Sequence, residues 1–192
     1  MFEENRVGNK IRELREAQGL SASALAERGQ TSAHVVEELE SGELAPSLAP
    51  LLKLARGLGV PLGALLDDAP HDGPVVTRAG QSETVVRFSG IGPATRISTL
   101  DFHSLAPNKR GRHMEPFIID VHPTVPEDCT LSTHEGEEFI YVLSGEIEVT
   151  WGKERVQIGP GDSIYYDSET AHDVRAAGDA DARILAVVYA PC

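Results

Sequence analysis

A chain of 192 residues is long enough for one large or two small domains, and its 41% hydrophobic and 24% charged residues are typical of a soluble globular protein. Its longest apolar runs have the length of a strand, far below the ~20 residues that a membrane-spanning helix needs. Residues 1–70 hold 7 basic and 11 acidic residues, and residues 71–192 hold 10 and 19, which together give a net charge of −13. This balance excludes a general polyanion binder, so any contact with nucleic acid requires a local basic patch.

The cysteines and the N-terminus predict a cytoplasmic protein. The first residues lack the basic-then-apolar pattern of a signal peptide. Cys129 and Cys192 are the only cysteines, and their spacing fits no metal motif. Two such cysteines favour a reducing compartment over a disulfide framework.

Residues 1–66 carry the period of α-helices. Val7, Ile11 and Leu14 repeat at i, i+4 and i+7, as on the buried face of a first helix. Capping and turn residues then divide the segment into five short helices. We expect these caps and turns at Ser21, Thr31 or Ser32, Gly42, Ser47, Gly57, Gly59 and Pro61.

A change of period follows a polar, turn-rich stretch. Residues 67–80 are predicted to be a linker, and residues 81–192 a second domain built from short β-type runs. The clearest runs are 84–88, 96–100, 117–121, 139–143, 146–151, 155–158, 163–166 and 184–189. Their number and spacing predict an antiparallel β-barrel or jelly roll. The fold class is therefore α plus all-β, in two domains.

The helical segment resembles the phage-repressor-like (XRE-type) helix-turn-helix family. The resemblance rests on Ile11-Arg12-Glu13-Leu14-Arg15, Gly19-Leu20-Ser21, Leu25-Ala26-Glu27, Leu39-Glu40-Ser41-Gly42 and Leu51-Leu52-Lys53-Leu54-Ala55. It implies that residues 22–28 form the second helix of the motif and that residues 32–41 form the recognition helix, which lies in the major groove of DNA.

The resemblance also implies a set of DNA-contacting residues. These are Arg12, Ser21, Ala22, Ser32, Ala33, His34 and Glu37. The chain departs from the family at Ala22, where Gln is usual, and in the adjacent carboxylates of Glu37 and Glu38. A glutamate can accept a hydrogen bond from cytosine, but two carboxylates repel phosphates. A head kept for dimerisation or partner contact is the alternative.

The β-rich segment resembles the cupin superfamily in two paired motifs. The first runs from His134 through Glu138 to Gly145, and the second from Gly161 to His172. The resemblance implies that His134, Glu138 and His172 bind a metal. The first histidine of the usual pair is replaced by Ser132. Asp167 and Glu169 stand where the second motif has Pro and Gly.

Two imidazoles and one carboxylate leave coordination positions open, and imidazole suits Fe, Mn, Zn or Ni better than Ca or Mg. Predicted pocket residues are Ser132, Tyr141, Tyr166 and His113, and candidates to orient the imidazoles are Tyr141, Tyr166 and Asp167. The charged segment 110–117 is expected either to line the pocket mouth and attract an anion or to form an ordinary basic loop. An empty pocket with hydrogen-bonded histidines is the alternative to metal binding.

The domain order resembles bacterial regulators that fuse a repressor-like head to a cupin sensor. It implies a homodimeric transcriptional regulator that binds an operator in double-stranded DNA and senses a small-molecule effector, a divalent metal or both. A second hypothesis is a mononuclear non-heme metal enzyme similar to the epoxidase of a hydroxyalkyl phosphonate. Against it, Phe102 and Gly19 stand where the epoxidase has a Tyr and a Lys around its substrate. A third is a non-catalytic partner-binding protein.

Overall fold

The computed structural model describes residues 5–67, 69–82, 84–88 (backbone only), 99–123 and 131–191. The N-terminal part contains the five predicted helices. They are α1 (Arg6–Ala17), α2 (Ala22–Arg28), α3 (Ala33–Ser41), α4 (Leu48–Leu58) and α5 (Gly63–Leu66). Ile11, Leu25, Val36, Leu51 and Leu54 are fully buried between them, so one apolar face of each of the first four helices forms the core.

The predicted caps explain where the helices begin and end. The hydroxyl of Ser21 accepts a hydrogen bond from the Ala24 amide (3.1 Å), and that of Ser32 accepts one from the Val35 amide (3.2 Å). Ser47 occupies the corresponding position before α4 but makes no such bond. Gly42 ends α3 with φ +79°, a left-handed conformation that favours glycine.

A buried carboxylate ties α1 to α3. Glu40 accepts hydrogen bonds from Arg15 (Nε to Oε1, 2.6 Å) and Arg12 (Nε to Oε2, 3.1 Å). Burial alone would raise the pKa of Glu40, but these hydrogen bonds and the two positive charges outweigh it and hold the pKa below 4.5. The cluster therefore fixes the position of the third helix against the first.

The described residues of the C-terminal part form two antiparallel sheets. The strands are β1 (Thr84–Phe88), β2 (Leu100–Ser104), β3 (Met114–Val121), β4 (Glu137–Ser144), β5 (Ile147–Trp151), β6 (Glu154–Ile158), β7 (Ser163–Asp167), β8 (His172–Ala176) and β9 (Ala182–Tyr189). Six of them pair in the order β1-β2-β3-β9-β4-β7, and three in the order β6-β5-β8. Residues alternate along the long strands, so that Phe117, Ile119 and Val121 on β3 are buried.

The sequence predicted an antiparallel barrel or jelly roll, and the antiparallel sheets that the structure describes agree with this prediction except that they do not close into a barrel. Among the described residues no ladder of hydrogen bonds joins the six-stranded sheet to the three-stranded one, so the sheets remain open. Of the run predicted at 96–100, residues 96–98 lie outside the described part, and strand β2 begins at Leu100. Strand β8 was not predicted, because His172-Asp173-Val174-Arg175-Ala176 is too polar and short to show a strand period.

The two parts meet at a buried ionic cluster. Arg112 donates to Glu115 (Nε to Oε2, 2.6 Å) and to Asp67, which follows α5. Glu115 also accepts from the Gly63 amide (3.1 Å). A more exposed pair, Arg56 on α4 and Glu135 before β4, makes a second bridge at 2.5 Å. No helix in the described ranges has the length and apolar content to cross a bilayer.

Candidate metal centre and ligand cavity

Strand geometry brings three candidate ligands together. Glu138 lies on β4 and points inward with Ile140 and Val142, because alternate residues of a strand share a face. His172 begins β8 in the other sheet. His134 lies in the loop before β4, where its amide donates to the Ser168 carbonyl (3.1 Å). The centre thus lies between the two sheets.

Gly136 makes this loop possible. Its φ is +110°, and a Cβ built there would lie 1.9 Å from the carbonyl oxygen of Tyr189 on β9. Only glycine allows the chain to pass so close to that strand while turning from His134 into β4.

The ligand atoms of the three residues converge. Glu138 Oε1 lies 2.8 Å from His134 Nε2 and 3.4 Å from His172 Nε2. One donor atom from each residue lies within 4.8 Å of the others, and all three residues are buried. The two imidazole rings are 5.3 Å apart and nearly perpendicular.

Backbone carbonyls orient both imidazoles. His134 Nδ1 lies 3.1 Å from the Glu135 carbonyl, and His172 Nδ1 lies 2.8 Å from the Thr170 carbonyl. A carbonyl oxygen only accepts hydrogen bonds, so Nδ1 carries the proton in each ring. Each ring donates to Glu138 through a proton on Nε2, and a cation that replaces this proton would find the Nε2 lone pair of a neutral imidazole directed toward Glu138.

Charge is concentrated at the centre. Burial would raise the pKa of Glu138, but hydrogen bonds from His134 and His172 and their charges lower it to about 2. Burial would lower the pKa of His172, but the hydrogen bond and charge of Glu138 raise it. The carboxylate is therefore ionised at neutral pH.

Tyr166 holds the second carboxylate oxygen. Its hydroxyl donates to Glu138 Oε2 at 2.7 Å. Burial and the neighbouring carboxylate raise the pKa of this phenol well above 10, so it remains a donor. Tyr166 was predicted as a pocket residue and as a partner of the imidazoles, but its hydroxyl holds the carboxylate, and the residue is not among the described residues that line the cavity. Because Oε2 is occupied, Oε1 is the oxygen left for a metal.

The donor set fits a divalent transition metal. Two neutral imidazoles and one ionised carboxylate, buried and mutually aligned, match the ligand preferences of Fe, Mn, Zn or Ni. Ser132 occupies the place of a fourth ligand, and its hydroxyl lies 3.4 Å from His172 Nε2. A hydroxyl is a weaker ligand than imidazole, so the arrangement leaves room for water or an exogenous donor.

A cavity of about 490 Å³ opens at this centre. Its β-sheet wall is mainly apolar. The described residues that form this wall include Leu100, Phe102, Ile119, Ile140, Val174, Ile184, Ala186 and Val188, together with Ser132 and the three candidate ligands. The opposite wall comes from α3, the segment after it and α4. This second wall was not predicted, because no motif spacing crosses from one domain to the other.

Two predicted pocket residues lie elsewhere. Tyr141 projects from the outer face of β4, because it is out of phase with Glu138 and Ile140. His113 is exposed just before β3. Asp167 is likewise exposed at the end of β7, so its side chain does not orient an imidazole.

The charged segment 110–117 does not line the mouth of the cavity. Arg110 pairs with Asp72 at the surface (3.3 Å), whereas Arg112 is buried in the cluster with Asp67 and Glu115. The segment therefore joins the two domains and leaves no free arginine to attract an anion at the metal centre.

The proposed DNA-contacting residues of the head occupy three kinds of position. Ser21 and Ser32 are exposed and cap α2 and α3, while Ala22 and Ala33 follow them and pack partly against the core. His34 and Glu37 project from α3 into solvent, and His34 has 76% of its side chain exposed. Arg12 remains 45% exposed, although it donates to Glu40.

The exposed face of α3 is acidic. His34 Nε2 lies 3.3 Å from Glu38, and Glu37 is exposed beside them. Exposed arginines of the head lie on other helices, including Arg12 on α1 and Arg28 on α2. Phosphate contacts therefore have to come from helices that flank α3.

Family comparisons match both parts of the chain. Residues 11–65 match the helix-turn-helix family, and residues 121–188 match the cupin domain family.

Three relatives span almost the whole chain. The (S)-2-hydroxypropylphosphonic acid epoxidase of Streptomyces wedmorensis is 30% identical over 176 residues, covering 88% of this chain and 85% of the epoxidase. The HTH-type transcriptional regulator SutR of Escherichia coli K12 is 22% identical over 96% of this chain and 95% of its own length. A helix-turn-helix transcriptional regulator from Vibrio cholerae has a similar structure, with a TM-score of 0.67 at 21% identity over 98% of this chain and 97% of its own.

Proposed function

We propose that this chain, which belongs to the family of proteins that join a repressor-like helix-turn-helix head to a C-terminal cupin domain, is a DNA-binding transcriptional regulator. The head corresponds to residues 1–66, the linker to 67–80 and the cupin domain to 81–192. The protein acts in the cytoplasm. It acts as a homodimer, because a two-fold operator is matched by two heads about one helical turn of DNA apart.

One observation carries the proposal. The N-terminal ends of α2 and α3 are capped by exposed serines, and His34 and Glu37 project into solvent from the first turns of α3. This is the surface that a recognition helix presents to base edges in the major groove. Similarity to regulators along the whole chain supports the same reading.

The acidic face of α3 predicts how DNA is recognised. Glu37 is expected to accept a hydrogen bond from a cytosine amino group, which gives sequence discrimination at a cost in phosphate attraction. Arg12, Ser21, Ala22, Ser32, Ala33 and His34 complete the proposed contact set. Because few cations face the DNA, the dependence of affinity on salt should be shallower than that of a strongly basic head.

The decisive test is binding to labelled DNA from upstream of the protein's own gene. Affinity is measured from low to moderate salt, with unrelated DNA as competitor. We expect binding that survives the competitor. Glu37→Ala removes the carboxylate and should lower the free-energy difference between specific and non-specific binding by about 1–3 kcal/mol. The reason is that the cytosine contact is lost while phosphate repulsion falls.

Glu154→Ala is the matched control, since Glu154 is an exposed carboxylate on β6, in the other domain. It should leave the specificity ratio unchanged. Loss of specific binding for the wild-type protein under every salt condition would contradict the regulator and leave an enzyme or partner-binding protein.

We also propose that His134, Glu138 and His172 hold a divalent Fe, Mn, Zn or Ni ion. Such an ion would supply open coordination positions for a small-molecule oxygen donor. The residues of the chain prepare the site: carbonyls fix the imidazoles, and Tyr166 fixes the carboxylate. The cavity beside the centre is the proposed effector site.

The second candidate is a non-heme metal enzyme. The convergent triad and the 30% identity to an epoxidase favour it. Phe102 argues against the epoxidase's own chemistry, because it lines the cavity with an apolar ring and packs edge-on against Phe117 at 5.3 Å. Gly19 lies in the turn after α1 and does not line the cavity.

A turnover assay separates the two candidates. The Fe(II)-loaded protein is incubated aerobically with (S)-2-hydroxypropylphosphonic acid, and the epoxide is sought by mass spectrometry. The regulator predicts no turnover. Turnover that disappears in Glu138→Ala, with no specific DNA binding, would establish the enzyme.

A further inference from the structure

The cavity at the metal centre has one wall in each domain. On the helical side it is lined by Val35, Glu38, Leu44, Ala45, Leu48 and Lys53. Val35 and Glu38 belong to α3, the recognition helix of the proposed head, and Lys53 belongs to α4. A molecule that fills this space therefore touches both the cupin domain and the helix that reads DNA.

The chemistry of the walls restricts the molecule. Most of the lining on both sides is apolar, which favours a hydrocarbon body. With a divalent ion on two neutral imidazoles and the Glu138 carboxylate, the buried end keeps one net positive charge and open positions for an oxygen donor.

Charged residues on the walls of the cavity restrict where a charged headgroup of the ligand can lie. Lys53 is the only lysine or arginine among the described residues that line the cavity. It adds a positive charge near Thr133 and His134, with which it also lines a neighbouring smaller cavity. Glu38 and Asp173 disfavour an anion along the apolar walls, so an anionic headgroup belongs at the metal end.

We propose that the cavity binds an apolar monocarboxylate between the two domains. Its carboxylate lies at the His134–Glu138–His172 centre within the field of Lys53, and its hydrocarbon body packs between Val174 of the cupin domain and Ala45 of the head. The inference rests on the proposed metal centre and adds the class of effector and its contact with the head.

This arrangement gives the effector a direct route to DNA affinity. A ligand held between the walls stabilises the orientation of α3 seen in this structure. DNA that selects another orientation must then break these contacts, and DNA and ligand affect each other's affinity by the same factor.

The test uses the full-length protein loaded with Zn(II) and freed of excess metal, and decanoate as the probe, titrated by calorimetry. Ala45→Phe fills the cavity from the helical wall, and Val174→Phe fills it from the cupin wall. Each should weaken decanoate binding by tenfold or more. Ala69→Phe, at an exposed position outside the cavity, should leave it within twofold of wild type.

The headgroup is tested with decanol and decylamine, which have the same chain length. Both should bind at least tenfold more weakly than decanoate. Lys53→Gln should weaken decanoate about fivefold and leave decanol unchanged. If decanol bound as tightly as decanoate, or decylamine bound more tightly, the assignment of a carboxylate headgroup would be wrong.

The wall variants decide the position of the ligand. If Val174→Phe weakens decanoate but a folded Ala45→Phe does not, the site belongs to the cupin domain alone and the inference is wrong. Absence of decanoate binding to wild type overturns it as well. Because these titrations contain no DNA, they succeed or fail independently of operator binding, and Zn(II) retention measured beforehand reports separately on the metal centre.

Discussion

The candidate sites of the two domains differ in how the fold constrains them. In the cupin domain, His134, Glu138 and His172 are 5%, 7% and 3% exposed, and both imidazoles contact the carboxylate of Glu138. In the head, His34 and Glu37 lie in solvent on α3. A buried ionised group needs partners, so changing one member of the triad disturbs the others. An exposed residue is free to change with the DNA sequence that it reads.

The same contrast exists within the head itself. Glu40 is as buried as the triad and is held by Arg12 and Arg15, whereas Glu37 and Glu38 on the same helix face outward or toward the cavity. One helix therefore carries a carboxylate that stabilises the fold beside carboxylates available for recognition. Burial, and not residue type, separates the two roles.

The largest expected effect is at the triad. Glu138→Ala removes the only carboxylate of the three-residue group and should lower affinity for Zn(II) by about a thousandfold, roughly 4 kcal/mol. Affinity is measured by competition with a chelating dye. Glu135→Ala, three residues away, is the control and should change affinity less than threefold. Equal affinities for wild type and Glu138→Ala would mean that the metal binds elsewhere.

The second expected effect concerns Glu40. Glu40→Ala leaves Arg15 and Arg12 without their common partner and should lower the free energy of unfolding by about 3 kcal/mol, measured by urea denaturation. Glu43→Ala, at an exposed position after α3, should cost less than about 0.5 kcal/mol. If both variants are equally stable, the buried cluster does not hold α3 against α1.

The pH dependence of this effect follows from the lowered pKa of Glu40. An acid whose pKa falls on folding stabilises the native state above its unfolded pKa of 4.5 and loses that stabilisation as the pH falls through the lower folded value. The difference in unfolding free energy between wild type and Glu40→Gln should therefore be constant above pH 5 and shrink below pH 4.5. A difference that grows on acidification would contradict the assignment.

A smaller effect is expected from the residue behind the metal centre. Tyr166→Phe removes the hydroxyl that donates to Glu138 Oε2 but keeps the ring, so Zn(II) affinity should fall 10- to 100-fold. Tyr165→Phe is the matched control, because the neighbouring Tyr165 is exposed and bonds to Glu137. If both variants bind Zn(II) as wild type does, the hydroxyl of Tyr166 does not tune the centre.

Features that depend on neighbouring residues were predicted from the sequence, whereas features that depend on contacts between distant elements were not. The five helices and the Ser21 and Ser32 caps were predictable, because local periodicity and capping depend on nearby residues. The convergence of His134, Glu138 and His172 was expected only from the resemblance of two distant motifs to those of the cupin superfamily. Tyr166 and Tyr141 were not distinguishable, since only the register of their strands decides which one faces inward. The helical wall of the cavity depends on docking between domains, which no local pattern encodes.

The smallest effect concerns that docking. Arg56 and Glu135 bridge the domains at 2.5 Å, but their side chains are 40% and 42% exposed, so solvent screens the pair and its coupling should be about 0.2–1 kcal/mol. A double-mutant cycle with Arg56→Ala, Glu135→Ala and the double variant measures this coupling from unfolding free energies at low and high salt. The coupling should fall as salt rises. A coupling free energy above about 2 kcal/mol that does not change with salt concentration would show that the junction behaves like the buried triad. The head and the cupin domain would then unfold as one unit.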